Sequence, residues 1–165
     1  MSGKKKNLSV FDEAPVHGAG RMRFGIAVSQ WNQEVTSLLL EGAVETLIRH
    51  GVQESNLIIK AVPGSFELTA AACMLAEATE CDAVICLGCI IQGETRHFEF
   101  IAQAVATGIN QASIQYGLPV IFGVLTTDTF EQAMDRAGGK HGNKGDEAAM
   151  AALRMAELHQ ALKPQ

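Results

Sequence analysis

The stretch Ala83-Val84-Ile85-Cys86-Leu87-Gly88-Cys89-Ile90-Ile91 decides the fold, because this continuous apolar run predicts a fully buried strand. The polar turn Gln92-Gly93-Glu94-Thr95-Arg96 follows it at once. The next segment repeats apolar residues at helical spacing, at Phe98, Ile101, Ala102, Val105, Ile109 and Ala112. A strand that leads through a turn into a helix is the repeating unit of an α/β protein with a parallel sheet.

The same alternation of strand and helix runs along most of the chain. Three further apolar segments predict strands, at 23–28, 57–62 and 120–125. Helical spacing separates them, with a stop signal at His50-Gly51 and candidate caps at Ser65 and within Thr127–Thr129. The helix after the fourth strand is expected to end at Gly138-Gly139. We therefore expect a four-stranded parallel sheet with helices covering both faces, a three-layer α/β/α sandwich.

Composition and charge limit the possible functions. The chain has 165 residues, of which 47% are hydrophobic and 19% charged, as in one ordinary globular domain. The net charge is −5 and no basic stripe follows Lys4-Lys5-Lys6, which argues against nucleic-acid binding. No apolar run approaches the ~20 residues of a membrane helix, and no signal core follows the basic N-terminus. We expect a cytoplasmic protein that contacts no membrane.

Residues 1–21 differ from the rest, because they are polar and contain glycine and only one short apolar piece, at 8–11. We assign 1–21 to an N-terminal arm and 22–165 to a single domain. The residues leave two interpretations of the arm open, a flexible tail or a strand donated to another molecule.

The four cysteines raise the question of a metal site, since Cys86-Leu87-Gly88-Cys89 has the spacing of a ligand pair. Within a strand, however, an offset of three places two side chains on opposite faces. We therefore expect Cys86 and Cys89 to be core residues, as buried cysteines commonly are.

Aromatic, hydroxyl and titratable side chains follow the predicted strands at their carboxyl ends, where open parallel sheets bind ligands. They include Trp31, Ser65, Phe66, Glu67, Thr95 and His97. The turn at Gly93 opens a helix, whose unpaired N–H groups and dipole favour an anion. The same dipole disfavours a charged imidazole at His97, and a neutral imidazole is a useful proton shuttle. This edge suits a flat, polar ring beside an anion.

Each of these residues also has a structural interpretation. Trp31 either stacks on a ligand or covers the core, and Glu67 either contacts a ligand or stabilises a helix start. The segment 136–145 holds three cationic side chains and four glycines. It is either a basic loop whose Arg136 stabilises a helix end or an anion clamp, since arginine binds phosphate through two parallel hydrogen bonds.

Five ordered motifs resemble the 6,7-dimethyl-8-ribityllumazine synthase family. They are Val62-Pro63-Gly64-Ser65-Phe66-Glu67-Leu68, Gly93-Glu94-Thr95-Arg96-His97-Phe98-Glu99, Phe122-Gly123-Val124-Leu125-Thr126-Thr127, Glu131-Gln132-Ala133 with Arg136-Ala137-Gly138, and Gly142-Asn143-Lys144-Gly145. The resemblance runs from about residue 24 to residue 162. It implies a flavodoxin-like fold and a condensation of 5-amino-6-(D-ribitylamino)uracil with 3,4-dihydroxy-2-butanone 4-phosphate, without metal or organic cofactor. The lumazine formed is the penultimate intermediate of riboflavin biosynthesis.

The resemblance also implies a role for each matching residue. His97 corresponds to the proton shuttle, and Trp31 to an aromatic residue that stacks on the pyrimidine. The segment that holds the ribityl chain corresponds to Ser65, Phe66 and Glu67. The phosphate site corresponds to Gly93, Glu94, Thr95, Arg136 and Lys144. In the family, the arginine and the aromatic residue that corresponds to Phe122 come from the adjacent subunit.

The resemblance further implies assembly of identical subunits. Active sites of the family lie between neighbours in a ring of five, and the N-terminal arm can add a strand to the neighbouring sheet. Members that close into icosahedral shells of about sixty copies have a short turn before the last helix. This chain has Gly139-Lys140-His141-Gly142-Asn143-Lys144-Gly145 there, with nothing inserted. Riboflavin synthase is a further possible partner.

Two segments depart from the family pattern, and two other functions compete with it. Ser29-Gln30-Trp31-Asn32 replaces the usual Ala-Arg-Phe-Asn, and Gln92 replaces a common cation, which weakens attraction of a phosphorylated substrate. A flavodoxin-like electron carrier would need a glycine-rich phosphate loop after the first strand, where 29–34 contains no glycine. A paralogue that serves only as a flavin-binding or shell-forming scaffold would not need His97 and Arg136.

Overall fold

The computed structural model describes residues 9–11 and 14–163. The main strands are β1 (Phe24–Ser29), β2 (Leu57–Val62), β3 (Ala83–Ile91) and β4 (Val120–Thr127). The helices are α1 (Gln33–Arg49), α2 (Leu68–Ala78), α3 (His97–Tyr116), α4 (Phe130–Asp135) and α5 (Lys144–Leu162). Two short strands, β5 (Ala137–Gly139) and β6 (Gly142–Asn143), pair between α4 and α5.

The four main strands form one parallel sheet in the order β2-β1-β3-β4. Its register pairs Ser29 with Val62, the last residues of β1 and β2, and Ile91 with Thr127, the last residues of β3 and β4. Because Val28 pairs with Leu87, β3 continues about three residues beyond the end of β1. The sequence predicted this sheet, with the observed bounds for β2 and β3. No helix in the described part of the chain is long and apolar enough to cross a bilayer.

Helices cover the two faces of the sheet and form a separate core on each, as predicted. Helices α1 and α5 pack against Phe24, Ile26 and Leu87, whereas α2 and α3 pack against Val84 and Cys86. The result is the three-layer α/β/α sandwich of the flavodoxin-like type.

The two strand cysteines lie in different cores, as the alternation of the strand predicted. Cys86 belongs to the core under α2 and α3, and Cys89 belongs to the core under α1 and α5. Burial raises the pKa of the Cys86 thiol to about 12 and that of Cys89 to about 11. Both thiols are therefore protonated at neutral pH, and their positions on opposite faces of the sheet keep them from binding one metal ion together.

The expectation that both faces of every strand are covered is wrong for β2. This strand lies at the edge of the sheet and pairs only with β1 among the described residues. Its residues 59–61 are exposed, with Ile59 at 42%. The helices pack over β1, β3 and β4 and make few contacts with β2, which leaves this edge strand partly open.

The predicted end of the helix after β4 is also wrong. Helix α4 ends at Asp135, and the chain then forms the β5–β6 hairpin. Gly138 and Gly142 lie within this hairpin and have φ values of +103° and +87°, a region that glycine adopts without strain. The predicted cap of this helix is correct, because Thr129 Oγ1 accepts the Gln132 N–H at 3.2 Å.

Part of the segment that the sequence assigns to the arm contacts the chain's own domain. Val16 and Ala19 are buried in the core under α5. The Ala14 carbonyl accepts a bond from Arg154 Nη2 at 3.0 Å, and the His17 N–H donates to Glu157 Oε1 at 3.0 Å. The predicted apolar piece 8–11 lies only partly within the described residues, which begin at Ser9.

Candidate active site

A cleft of about 330 Å³ opens where β1, β2 and β3 end. Its lining consists of Trp31, Asn32, Gly64, Ser65, Phe66, Cys89, Ile90, Ile91, Gly93, Thr95, His97, Phe98 and Ile101. Six of the residues predicted for the site lie here: Trp31, Ser65, Phe66, Gly93, Thr95 and His97. The parallel register brings them together from three turns that are distant in sequence.

The turn after β1 places an aromatic ring at the mouth of the cleft. Gln30 N–H donates to the Val62 carbonyl at 2.8 Å and Trp31 N–H to the Pro63 carbonyl at 3.0 Å, so the turn runs beside the one after β2. The Trp31 side chain is 72% exposed. It therefore does not cover the core, and its ring can stack against a flat molecule.

Asn32 is a site residue that the sequence analysis missed. Its backbone has φ +59°, a left-handed conformation that asparagine tolerates better than most residues. Its side-chain Nδ2 donates to the Cys89 carbonyl at 2.9 Å and thereby ties the turn after β1 to β3. The available signal was an asparagine at the point where a strand passes into a helix.

The turn after β2 differs from the prediction. Ser65 does not cap α2 but begins a 3₁₀ turn, Ser65–Glu67. The Glu67 carboxylate instead accepts the Gly64 N–H at 3.0 Å, which supports its structural interpretation. Ser65 is only 7% exposed, and its Oγ has no hydrogen-bond partner among the described residues. A buried hydroxyl that lines a cleft without a partner is a group that a ligand can satisfy.

The turn after β3 presents backbone donors to the cleft. Within residues 9–11 and 14–163, no acceptor lies within hydrogen-bond reach of the N–H groups of Gly93, Glu94 and Thr95. His97 begins α3, and its N–H donates to Thr95 Oγ1 at 3.4 Å. The exposed imidazole of His97 thus lies beside unpaired N–H groups at a helix start, an arrangement that suits an anion and a proton carrier.

Five predicted site residues do not line the cleft of their own chain: Glu67, Glu94, Phe122, Arg136 and Lys144. Phe122 lies in β4, where it pairs with Cys86 of β3, and it packs against the core under α2 and α3. It lies five residues before the end of β4. The cleft in one chain therefore lacks the predicted cations and the ring of Phe122.

The cations of segment 136–145 are paired with acids in the structure. Arg136 Nη2 lies 2.5 Å from Glu147 Oε1, and Lys144 Nζ lies 3.1 Å from Glu147 Oε2. Arg136 Nη1 also donates to the His141 carbonyl at 2.7 Å, and Lys140 Nζ lies 2.7 Å from Asp135 Oδ2. The sequence analysis missed Glu147, although its spacing of three from Lys144 on a helix was a usable signal.

The fold and the cleft define a class of α/β protein that binds a small flat molecule beside an anion at the carboxyl edge of a parallel sheet. Comparison with known sequences narrows this class. The sequence model of the 6,7-dimethyl-8-ribityllumazine synthase family matches residues 21–160. A protein of that name from Cytophaga hutchinsonii is 57% identical over 155 residues, 94% of this chain and 97% of the relative.

Two further relatives carry the same name. The 6,7-dimethyl-8-ribityllumazine synthase of Porphyromonas gingivalis is 53% identical over 158 residues, 96% of this chain and 98% of its own. That of Parabacteroides distasonis is 51% identical over 155 residues, 94% of this chain and 97% of its own. The chain belongs to the 6,7-dimethyl-8-ribityllumazine synthase family.

The unpartnered hydroxyl of Ser65 gives a test of the cleft. We expect Ser65→Ala to weaken binding of the ribitylaminouracil by about two- to tenfold, the effect of one neutral hydrogen bond. The melting temperature should not fall, because no bond within the protein is lost. Ser29→Ala is the contrasting variant, since the buried Ser29 Oγ donates to the Trp31 carbonyl at 3.1 Å. It should lower the melting temperature. Unchanged affinity in Ser65→Ala, measured by titration calorimetry, would contradict the assignment.

Proposed function

We propose that the chain is a transferase that condenses 5-amino-6-(D-ribitylamino)uracil with 3,4-dihydroxy-2-butanone 4-phosphate. The products are 6,7-dimethyl-8-ribityllumazine, phosphate and water, in the penultimate step of riboflavin biosynthesis. An imine forms between the amine and the ketone with loss of one water, phosphate is eliminated, and ring closure releases a second water. The observation that carries this proposal is the convergence of an aromatic ring, unpaired N–H groups and an imidazole on one cleft.

The cleft supports roles for three side chains and for the backbone of the turn after β3. The pyrimidine stacks on Trp31, whose ring is open to the cleft. The ribityl chain lies along the turn after β2, where the Ser65 hydroxyl is available for a bond. The phosphate lies on the N–H groups of Gly93, Glu94 and Thr95. His97, the first residue of α3, carries protons between the amine, the departing phosphate and the ring-closing step.

The remaining groups of the site come from an adjacent subunit. Phe122, Arg136 and Lys144 lie outside the cleft of their own chain, so in a ring of five they can complete the cleft of a neighbour. Arg136 would then bind the phosphate of the butanone substrate, with Lys144 close by. The exposed edge of β2 can accept a neighbour's N-terminal arm as an added strand.

The proposed setting is the cytoplasm. All four cysteines are free, as expected in a reducing compartment. The partners are the two substrates, further copies of the same chain and riboflavin synthase, and the reaction uses no metal or organic cofactor. A scaffold without catalysis is the competing function, and a direct assay distinguishes the two.

The assay is to mix the two substrates and record the fluorescence of the lumazine. We expect the protein to form it, and His97→Ala to turn over about 10²–10⁴-fold more slowly with nearly unchanged substrate affinity. The uncatalysed condensation is subtracted as background. His50→Ala is the matched control, because His50 lies at the far end of α1 and bonds the Thr46 carbonyl at 2.8 Å. Absence of turnover in the unmodified protein would favour the scaffold, and equal turnover in His97→Ala would remove His97 from the mechanism.

A second prediction separates the two substrates. Arg136→Ala should raise KM for the butanone phosphate by about 10–100-fold, since a charge-assisted contact contributes about 1.5–3 kcal/mol. KM for the pyrimidine should change little. Lys140→Ala is the control from the same segment, because Lys140 is more exposed and pairs with Asp135. Equal weakening for both substrates would mean that Arg136 acts on folding or assembly.

The third prediction concerns assembly, which we propose is a pentamer that closes into a shell of about sixty copies. The β5–β6 hairpin supports the shell, because it is short and tightly closed and fixes where α5 begins. Gly145 packs so closely on the backbone of Leu39 in α1 that a Cβ would overlap it, which restricts the angle of α5. Analytical sedimentation should give one large closed species. A stable pentamer or decamer across phosphate concentrations would exclude the shell, and a fully active monomer would exclude the shared site.

A further inference from the structure

Ser9, near the start of the described chain, contacts the residues that hold Arg136. Its Oγ accepts the Asn143 N–H at 2.7 Å. The same hydroxyl lies 3.1 Å from the Asn143 carbonyl and 3.3 Å from Glu147 Oε1, so its single proton can be donated to either oxygen. A residue of the N-terminal arm is thus bonded to the junction at which β6 passes into α5.

This junction is a fixed point of the fold. Asn143 Oδ1 accepts the Gly145 N–H at 2.8 Å and so caps α5, while Asn143 Nδ2 donates to the Leu38 carbonyl of α1 at 3.0 Å. The nearby Phe11 packs against the core under α1 and α5. Ser9 is therefore attached to a part of the domain that cannot move independently of α1 and α5.

Glu147 links Ser9 to Arg136. Its Oε1 accepts from Arg136 Nη2 and lies within reach of the Ser9 hydroxyl proton, and its Oε2 accepts from Lys144 Nζ. The Arg136 and Glu147 side chains are only 18% and 16% exposed, so the pair is partly shielded from water. Donors on both oxygens hold the carboxylate in one orientation, and the carboxylate in turn holds the guanidinium.

The orientation of Arg136 matters because its donors are divided between protein and ligand. One N–H goes to Glu147 and one to the His141 carbonyl, which leaves three of the five for an anion. A guanidinium binds phosphate well only when two of these donors face it together. If Glu147 turned, it could occupy the donors that a phosphate needs.

We propose that Ser9 is a positioning residue for phosphate binding, acting through Glu147 on Arg136. The N-terminal arm is then part of the machinery that binds the phosphorylated substrate. This inference rests on the proposed role of Arg136. It does not depend on where residues before Ser9 lie.

The test compares Ser9→Ala with Ser9→Thr in the assembled protein. We expect Ser9→Ala to raise KM for the butanone phosphate, and Ki for inorganic phosphate, by about three- to tenfold, the effect of one lost hydrogen bond. The kcat and KM for the pyrimidine should stay within about twofold. Ser9→Thr keeps the hydroxyl and should restore most of the phosphate affinity.

A matched control separates positioning from general stability. Ser113 Oγ likewise accepts a backbone N–H, that of Val120 at 3.3 Å, and donates to a backbone carbonyl, that of Leu118 at 2.8 Å. It lies at the opposite end of the sheet, where β4 begins. Ser113→Ala should lower the melting temperature without changing Ki for phosphate. Equal changes of Ki in both alanine variants would overturn the proposal.

A double-mutant cycle tests the path through Glu147. In a Glu147→Ala background, Ser9→Ala should cause no further rise in Ki for phosphate, because the linking carboxylate is gone. Additive effects would overturn the proposal. If Arg136→Ala changes KM for the butanone phosphate and Ser9→Ala does not, only the role of Ser9 fails. If Arg136→Ala itself has no effect, the proposed role of Arg136 fails, and the role of Ser9 fails with it.

Discussion

The parallel pairing of β1 between β2 and β3 is the constraint on which the site depends. Parallel strands must end at one edge of their sheet, so three turns separated by about thirty residues each reach the same cleft. The pairing continues past the strands, where Trp31 N–H bonds the Pro63 carbonyl. The Asn32 side chain then bonds the Cys89 carbonyl on the other side. An error of one residue in this register would turn Trp31 and His97 away from each other.

The distribution of charge around the cleft supports the proposal that two subunits share each site. The turn after β3 supplies backbone dipoles for an anion but also carries the exposed carboxylate of Glu94. Gln30 and Gln92 stand at positions where the family commonly has cations, and the chain's net charge is −5. Arg136 and Lys144 could supply a compensating positive charge, but both form ion pairs with Glu147 and lie outside the cleft. In the assembly that we propose, a subunit boundary brings these cations to the cleft and supplies the attraction for a phosphorylated substrate.

The sequence predicted the sheet and the main elements of the cleft because both follow from local rules. Apolar runs set the bounds of β2 and β3, and the positions of Trp31, Ser65 and His97 follow from strand ends. Less local features were not predictable. The end of α4 depends on the pairing of β5 with β6, and the exposure of β2 depends on which strand lies at the edge. The pairing of Arg136 with Glu147 spans a hairpin, and a pattern of residue types does not reveal it.

The position of Trp31 gives the protein an optical property of its own. It is the only tryptophan in the chain, and it lies at the mouth of the cleft with most of its surface in water. All indole emission therefore originates within contact distance of whatever occupies the site. A stacked pteridine or isoalloxazine ring, which absorbs at longer wavelengths than indole, would accept that excitation energy directly. Occupancy of every cleft in an assembly can thus be followed without a label.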